Sequence, residues 1–263
     1  MEAYIMLTLE RQNVILDILK KDKAVTISKL SEFLSTSATN IRRDLEKMEK
    51  KRLVKRTYGG AVLVEEGFNV EIPLAVREVE HREIKNRIAR TAARLVGDDD
   101  TVFIDASTTT KEMTNFFRDK INLTVITNGI RTITDLAEAE NVTVYGLPGK
   151  LRKRALSLVG SQAESRISDY WASKLFFSCT GLCIGHGAMD YSDEEAEIRK
   201  KMMDTCQKII LLCDHTKFGF PAFYRICSFS QIDVLITDRQ LSGEWETLLI
   251  QNGIEVIYAD DSP

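Results

Sequence analysis

Within residues 8–64, apolar positions recur at helical spacing in three short bursts and then change to a hairpin pattern. Leu9, Val14, Ile15, Ile18 and Leu19 form one stripe, closed by Lys20-Lys21-Asp22-Lys23, and this predicts a supporting helix. Thr26 stands where it can cap a second helix, whose Ile27, Leu30, Phe33 and Leu34 are expected to point one way. Ser35-Thr36-Ser37 then supplies a turn and the next N-cap. In the third helix Ile41, Leu45 and Met48 recur at i, i+4 and i+7, which buries one face and leaves Thr39, Asn40, Arg42, Arg43, Lys47 and Lys50 outward. Beyond it, residues 53–57 and 61–64 flank Tyr58-Gly59-Gly60, and the paired glycines are expected to supply the positive φ angles of a tight hairpin.

Periodicity fades through the acidic stretch from Glu65 to Pro73, which places a linker at 65–80 and separates an N-terminal module, 1–64, from a larger one, 81–263. Ile84, Ile88, Ala92, Leu95 and Val96 predict a helix ended by Gly97. From there short β-branched runs at 101–104, 123–127, 142–145, 174–179, 209–213 and 234–237 alternate with helical stretches such as 129–139 and 194–206. Such alternation predicts an α/β domain with a largely parallel sheet, and ligands beyond the carboxyl ends of its strands.

Charge changes the picture of the first module. Residues 1–60 carry 13 Lys and Arg against 8 Asp and Glu, whereas the whole chain carries 36 against 39. A basic small module on an acidic large one suits phosphate contacts confined to the module. Helix, turn, capped basic helix and basic hairpin together make a winged helix-turn-helix. Arg can pair bidentately with guanine, and Asn with adenine, in a groove wide enough for a helix. The candidate DNA-contacting residues are Thr26, Ser37, Thr39, Asn40, Arg42, Arg43 and Lys47, with Lys55, Arg56, Tyr58 and Gly59 on the wing. One such head gives limited affinity, so a homo-oligomer, dimer or tetramer, is expected on double-stranded operator DNA.

Three segments of the head, Glu10-Arg11-Gln12, Thr39-Asn40-Ile41-Arg42-Arg43-Asp44-Leu45 and Lys55 through Val62, together with Val25 through Leu30, resemble the DeoR family of bacterial transcriptional regulators. The resemblance runs to about residue 240. It implies a C-terminal effector domain related to ribose-5-phosphate isomerases and coenzyme A transferases, and a repressor of carbohydrate-metabolism genes released by a phosphorylated sugar. Read from the residues alone, Asp105-Ala106-Ser107-Thr108-Thr109-Thr110 could cap a helix or cradle an anion. The resemblance favours the second, with Asp105, Ser107, Thr108, Thr109 and Thr110 in a sugar-phosphate loop. It also implies Asn128, Gly149, Arg152, Lys174, Gly181, Glu197 and Lys217 around the effector, Lys217 being the preferred cation, and leaves His215 within reach. Two features depart from the family pattern: its double glycine is spread over Gly146-Leu147-Pro148-Gly149, and Arg199 stands where lysine is usual.

The alternative reading is a sugar-phosphate isomerase-like enzyme carrying a DNA-binding module, since Asp105, Glu197, Lys174 and Lys217 are capable of acid-base work. Cys179, Cys183, Cys206, Cys213 and Cys227 lack paired CxxC spacing, so free thiols are expected, and no metal or cofactor is implied. Gly149-Lys150 lacks the rest of a P-loop, and no G-x-S-x-G occurs. Met1-Glu2-Ala3-Tyr4 does not start a signal peptide and the apolar runs are too short to span a bilayer, so a cytoplasmic protein is expected.

Overall fold

A computed structural model describes residues 8–22, 24–50, 53–57, 59–63, 71–72 and 74–260; Tyr58, Val64, Pro73 and residues 65–70 of the expected linker lie outside the described residues. The chain divides into two compact units, residues 1–81 and 82–263.

The first unit contains α1 (Thr8–Asp22), β1 (Ala24–Thr26), α2 (Ile27–Phe33), α3 (Ala38–Lys50), β2 (Val54–Thr57), β3 (Gly60–Leu63) and α4 (Leu74–Val79). The stripes meet as expected: Ile15, Leu19, Leu30, Ile41, Leu45 and Met48 pack in one core with Val25 and Val54. Two details differ. Phe33 is 67% exposed, because residues 27, 30 and 34 share a helical face that 33, about 60° further round from 30, leaves. β1, too short for a periodic signal, joins the hairpin in a sheet of order β1-β3-β2. That third strand explains Gly60, which does not hold a positive φ: it faces Thr26 across the ladder, and a Cβ there would lie 2.0 Å from the Val25 carbonyl oxygen. α4 falls inside the stretch read as linker and buries Leu74 and Val76.

The second unit runs α5 (Arg82–Ala93), β4 (Thr101–Ile104), α6 (Thr108–Lys111), β5 (Leu123–Thr127), α7 (Ile130–Leu136), β6 (Val142–Gly146), β7 (Lys150–Arg152), β8 (Ser157–Val159), α8 (Ser161–Ile167) and β9 (Ala172–Phe177). It continues with β10 (Gly181–Cys183), β11 (Gly187–Asp190), α9 (Asp193–Asp204), β12 (Cys206–Leu212), β13 (Tyr224–Cys227), β14 (Val234–Thr237), α10 (Gly243–Gln251) and β15 (Glu255–Tyr258). Seven strands form one parallel sheet of order β15-β14-β12-β9-β4-β5-β6. Strand alternation sorts the residues onto two covered faces. Val102, Ile104, Val125, Phe176, Ile210 and Ile236 pack against Ile88, Ala92 and Leu136 on one. Phe103, Leu175, Phe177, Leu211 and Leu235 pack against Ala163, Ala196, Met202 and Leu249 on the other.

The strand order decides where a ligand can enter. From β4 the chain moves outward through β5 and β6, then returns to β9 on the other side of β4 and moves outward again through β12, β14 and β15. The crevice between the carboxyl ends of β4 and β9 is therefore the topological switch point. Two smaller sheets, β7-β8 and β10-β11-β13, extend the unit.

Candidate functional site

On the head, each predicted cap forms. Thr26 Oγ1 accepts from Lys29 N at 3.2 Å and Ser37 Oγ from Asn40 N at 3.3 Å. Ile27 N donates to the Gly59 carbonyl at 2.7 Å, which ties the start of α2 to the wing. Thr39, Asn40, Arg42, Arg43 and Lys47 are exposed on α3, with Ile41, Leu45 and Met48 buried beneath them. Lys55 and Arg56 are exposed on β2, and Glu49 at the end of α3 accepts from Arg56 N at 2.8 Å, fixing the wing to that helix. A groove between α2, α3 and the wing is lined by Ser28, Ser31, Glu32, Arg42 and Gly59. This face offers hydroxyls, amides and guanidiniums outward from one rigid helix, which suits phosphate and base-edge contacts.

In the second unit the expected loop lies at the switch point. Asp105 follows β4, its N donates to the Phe176 carbonyl, and its carboxylate is filled by four donors. Ser107 N at 3.1 Å and Thr110 Oγ1 at 2.6 Å meet one oxygen, and Ser178 N at 3.2 Å and Arg199 Nε at 2.6 Å meet the other. Ser107 caps α6, and Thr108, Thr109 and Thr110 are buried in its first turn. Arg199 also donates from Nη1 to Asp190 Oδ2 at 2.8 Å. Burial works against its charge, but Asp105, Asp190 and Glu195 hold its proton more tightly than usual.

A second cluster adjoins at the end of β5. Asn128 Nδ2 donates to Glu195 Oε2 at 3.4 Å, the Ser157 hydroxyl donates to the other oxygen, and Arg152 Nη1 stands 3.9 Å from Glu195. Burial pushes the Glu195 carboxyl up, against the opposing pull of Arg199 and Ser157. Asn128 Oδ1 is buried with no hydrogen-bond partner. At the end of β12, Asp214 caps the short turn His215–Lys217. Although its burial acts the other way, the charge of Lys217, the Thr216 hydroxyl and amide, and the charge of Lys85 hold its carboxyl below the usual range. His215 is engaged by Asp238, Nδ1 to Oδ2 at 2.7 Å.

Two expected members stand elsewhere. Lys174 lies in the first half of β9, at the amino end of the sheet, where its Nζ donates to Asp100 Oδ2 at 2.6 Å. Glu197 is turned away from the cluster by helical phase and instead accepts from Lys200 Nζ at 2.8 Å and the Tyr224 hydroxyl at 2.9 Å. Two residues earlier on the same helix, Glu195 takes the place expected for it. Gly149 and Gly181 are steric: a Cβ would come within 2.6 Å of the Val159 carbonyl oxygen and 1.9 Å of the Phe220 carbonyl oxygen, respectively. Glu195, Asp190 and Ser178 were missed. The buried Glu195 had a signal in the Ser192 cap three residues before it, which starts α9 and sets its phase. All five cysteines are free, and burial, the leading cause, pushes the Cys227 thiol up to about 12.

Residues 11–67 match the DeoR-like helix-turn-helix domain, and residues 80–239 match the DeoR C terminal sensor domain. The chain belongs to the DeoR family. This DeoR-family protein is 36% identical to the HTH-type transcriptional regulator YulB of Bacillus subtilis, over 90% of this chain and 91% of that one. It is 34% identical to the HTH-type transcriptional repressor GlcR of the same organism, over 95% and 96%. The glycerol-3-phosphate regulon repressor of Escherichia coli is 28% identical, over 87% and 90%. Among solved structures, ribose 5-phosphate isomerase A of Methanocaldococcus jannaschii is similar at 14% identity and a TM-score of 0.38, over 53% of this chain and 55% of that one. With the family's helix-turn-helix head and sensor domain on one chain, this DeoR-family member is a DNA-binding transcriptional regulator. Among the described residues no helix is long and apolar enough to cross a membrane.

Proposed function

We propose that the protein is a cytoplasmic repressor of carbohydrate-metabolism genes, working as a homo-oligomer, whose hold on operator DNA is released by a phosphorylated sugar. The observation that carries this reading is the pairing, on one chain, of the basic head with a DeoR sensor domain whose polar cluster lies at the switch point of a parallel sheet. Relatives named as repressors of a glycerol-3-phosphate regulon and of the aga operon support the effector class. Arg152 and Lys217 supply positive charge, while Asn128 and Ser157 suit hydroxyl groups.

The site binds rather than turns over its ligand. A catalytic base needs a free lone pair directed at the substrate, and the four donors to Asp105 occupy its carboxylate. Of the other groups an isomerase-like reading would use, Lys174 is at the far end of the strands and Glu197 is engaged by Lys200 and Tyr224, which leaves Lys217 at the carboxyl edge.

Fluorescence anisotropy with DNA from upstream of the protein's own gene, repeated with a panel of sugar phosphates, tests the proposal. Specific binding relieved by one phosphorylated sugar is expected. Specific binding relieved by none would overturn the effector assignment, and turnover of a sugar phosphate would restore the enzyme reading.

A further inference from the structure

Asp44 is a carboxylate on the inner side of the reading helix, 1% exposed, among Ile41, Leu45 and Met48. Arg11 Nε donates to its Oδ2 at 2.5 Å and Gln12 Nε2 to its Oδ1 at 3.5 Å, both from α1. The Arg11 side chain is itself only 12% exposed. From this geometry we infer that the Arg11–Asp44 pair is a positioning device for DNA reading. It sets the roll of α3 about its own axis against α1, and so decides where Asn40, Arg42 and Arg43 arrive in the major groove.

Stability alone gives such a pair little reason to exist. Desolvating two charges consumes most of what their attraction returns, and apolar residues of similar volume commonly do as well or better in a core. What the pair adds is direction. Contacts among Ile15, Leu19, Ile41, Leu45 and Met48 are apolar and non-directional, so they leave α3 some freedom to roll. A charge-assisted hydrogen bond from Arg11 to one carboxylate oxygen restricts that freedom because it is directional, and the Gln12 amide 3.5 Å from the other oxygen adds a weaker contact from the same helix. The magnitude matters at the reading face. A roll of about 20° moves atoms roughly 6 Å from the helix axis by about 2 Å. That shift exceeds what a bidentate pair with a base edge tolerates, whereas a flexible contact to phosphate survives it. Arg43 adjoins the lock in sequence and Asn40 lies one turn before it, so both inherit its register directly.

The test uses the full chain with Arg11→Met and Asp44→Leu combined, which removes both charges and leaves neither buried alone. Parent and variant are each allowed to select from a duplex library with a randomised central segment, the bound fraction is sequenced, and the parent's selected duplex is titrated beside poly(dI-dC). The variant is expected to melt at or above the parent's temperature and to bind poly(dI-dC) within about twofold, yet to lose about tenfold or more of the parent's preference for the selected duplex. Retention of the parent's preference would overturn the inference, as would a uniform loss on every duplex. Arg11→Lys serves as the second variant, because it keeps the charge and loses the guanidinium's fixed fork. It is expected to lower the preference severalfold in a folded protein, and parental preference in that variant would also count against the pair as a positioning device.

Discussion

At the scale of single residues, the carboxyl edge of the sheet is a set of acidic groups with different fates. Asp105 is a strut whose four donors tie the end of β4 to β9, α6 and α9, so its charge organises the loop. Asp214 is different: one oxygen accepts from Thr216 N at 2.9 Å, while Oδ2 is buried without a hydrogen-bond partner. Despite its burial, Lys217, Thr216 and Lys85 lower its pKa, so folding gains from the ionised form. A carboxyl whose folded pKa lies below its unfolded value adds stability above the unfolded value and loses it as pH falls through the folded one. Asp214→Asn keeps the shape and removes the charge. The variant is expected to be about 1 kcal/mol less stable near neutral pH, a gap that closes as pH falls below 3.8. Denaturant unfolding across pH measures this, and a gap constant with pH would show that the charge is not the cause.

At the scale of elements, close backbone approaches govern two ribbons. In the head, β3 lies between β1 and β2, and Gly60 is the point where it passes the Val25 carbonyl. Gly60→Ala is expected to force β1 from the wing, destabilising the head by about 2 kcal/mol or more and weakening DNA binding; thermal unfolding and a DNA titration measure both. Unchanged values in both would show that the three-stranded ladder opens freely. In the second unit, the β7-β8 ribbon carries Arg152 and Ser157 to Glu195. Gly149 at its base adopts φ +144° where a side chain would strike Val159. These glycines were visible in the sequence as turn residues, but the reason for Gly60 was not, since Val25 approaches it from 35 positions away in the chain.

At the scale of the whole molecule, the basic head and the acidic sensor unit divide the work, and the proposed release must follow from linkage. If a phosphorylated sugar lowers operator affinity by some factor, operator DNA must lower affinity for that sugar by the same factor. Calorimetric titration of the sugar into free and operator-bound protein is expected to give a ratio of dissociation constants equal to that found by titrating DNA with and without the sugar. Unequal ratios would mean that the two ligands do not act through one coupled equilibrium. The steep salt dependence expected of a head bearing Arg42, Arg43, Lys47, Lys55 and Arg56 belongs to the DNA side of that cycle.

By itself the sequence determined the capped helices and hairpin of the head and the parallel character of the large sheet, but not β1, α4, β15 or the strands of the two smaller sheets. Each has a local cause, a cap or a hydrophobic period, that is written over a few neighbouring residues. β4, β5 and β14 stand where their β-branched runs predict them, and the Asp105–Thr110 loop follows β4 as expected. Tertiary structure alone decided the strand order, and with it which residues share the switch point. Lys174 and Glu197 sit near the right strand and on the right helix, yet position along β9 and phase around α9 point them away. Glu195, Asp190 and Arg199 come instead from α9 and β11, about 90 residues from Asp105. The Arg11–Asp44 pair is legible only once α1 and α3 are packed, because a directional contact between helices has no period along the chain.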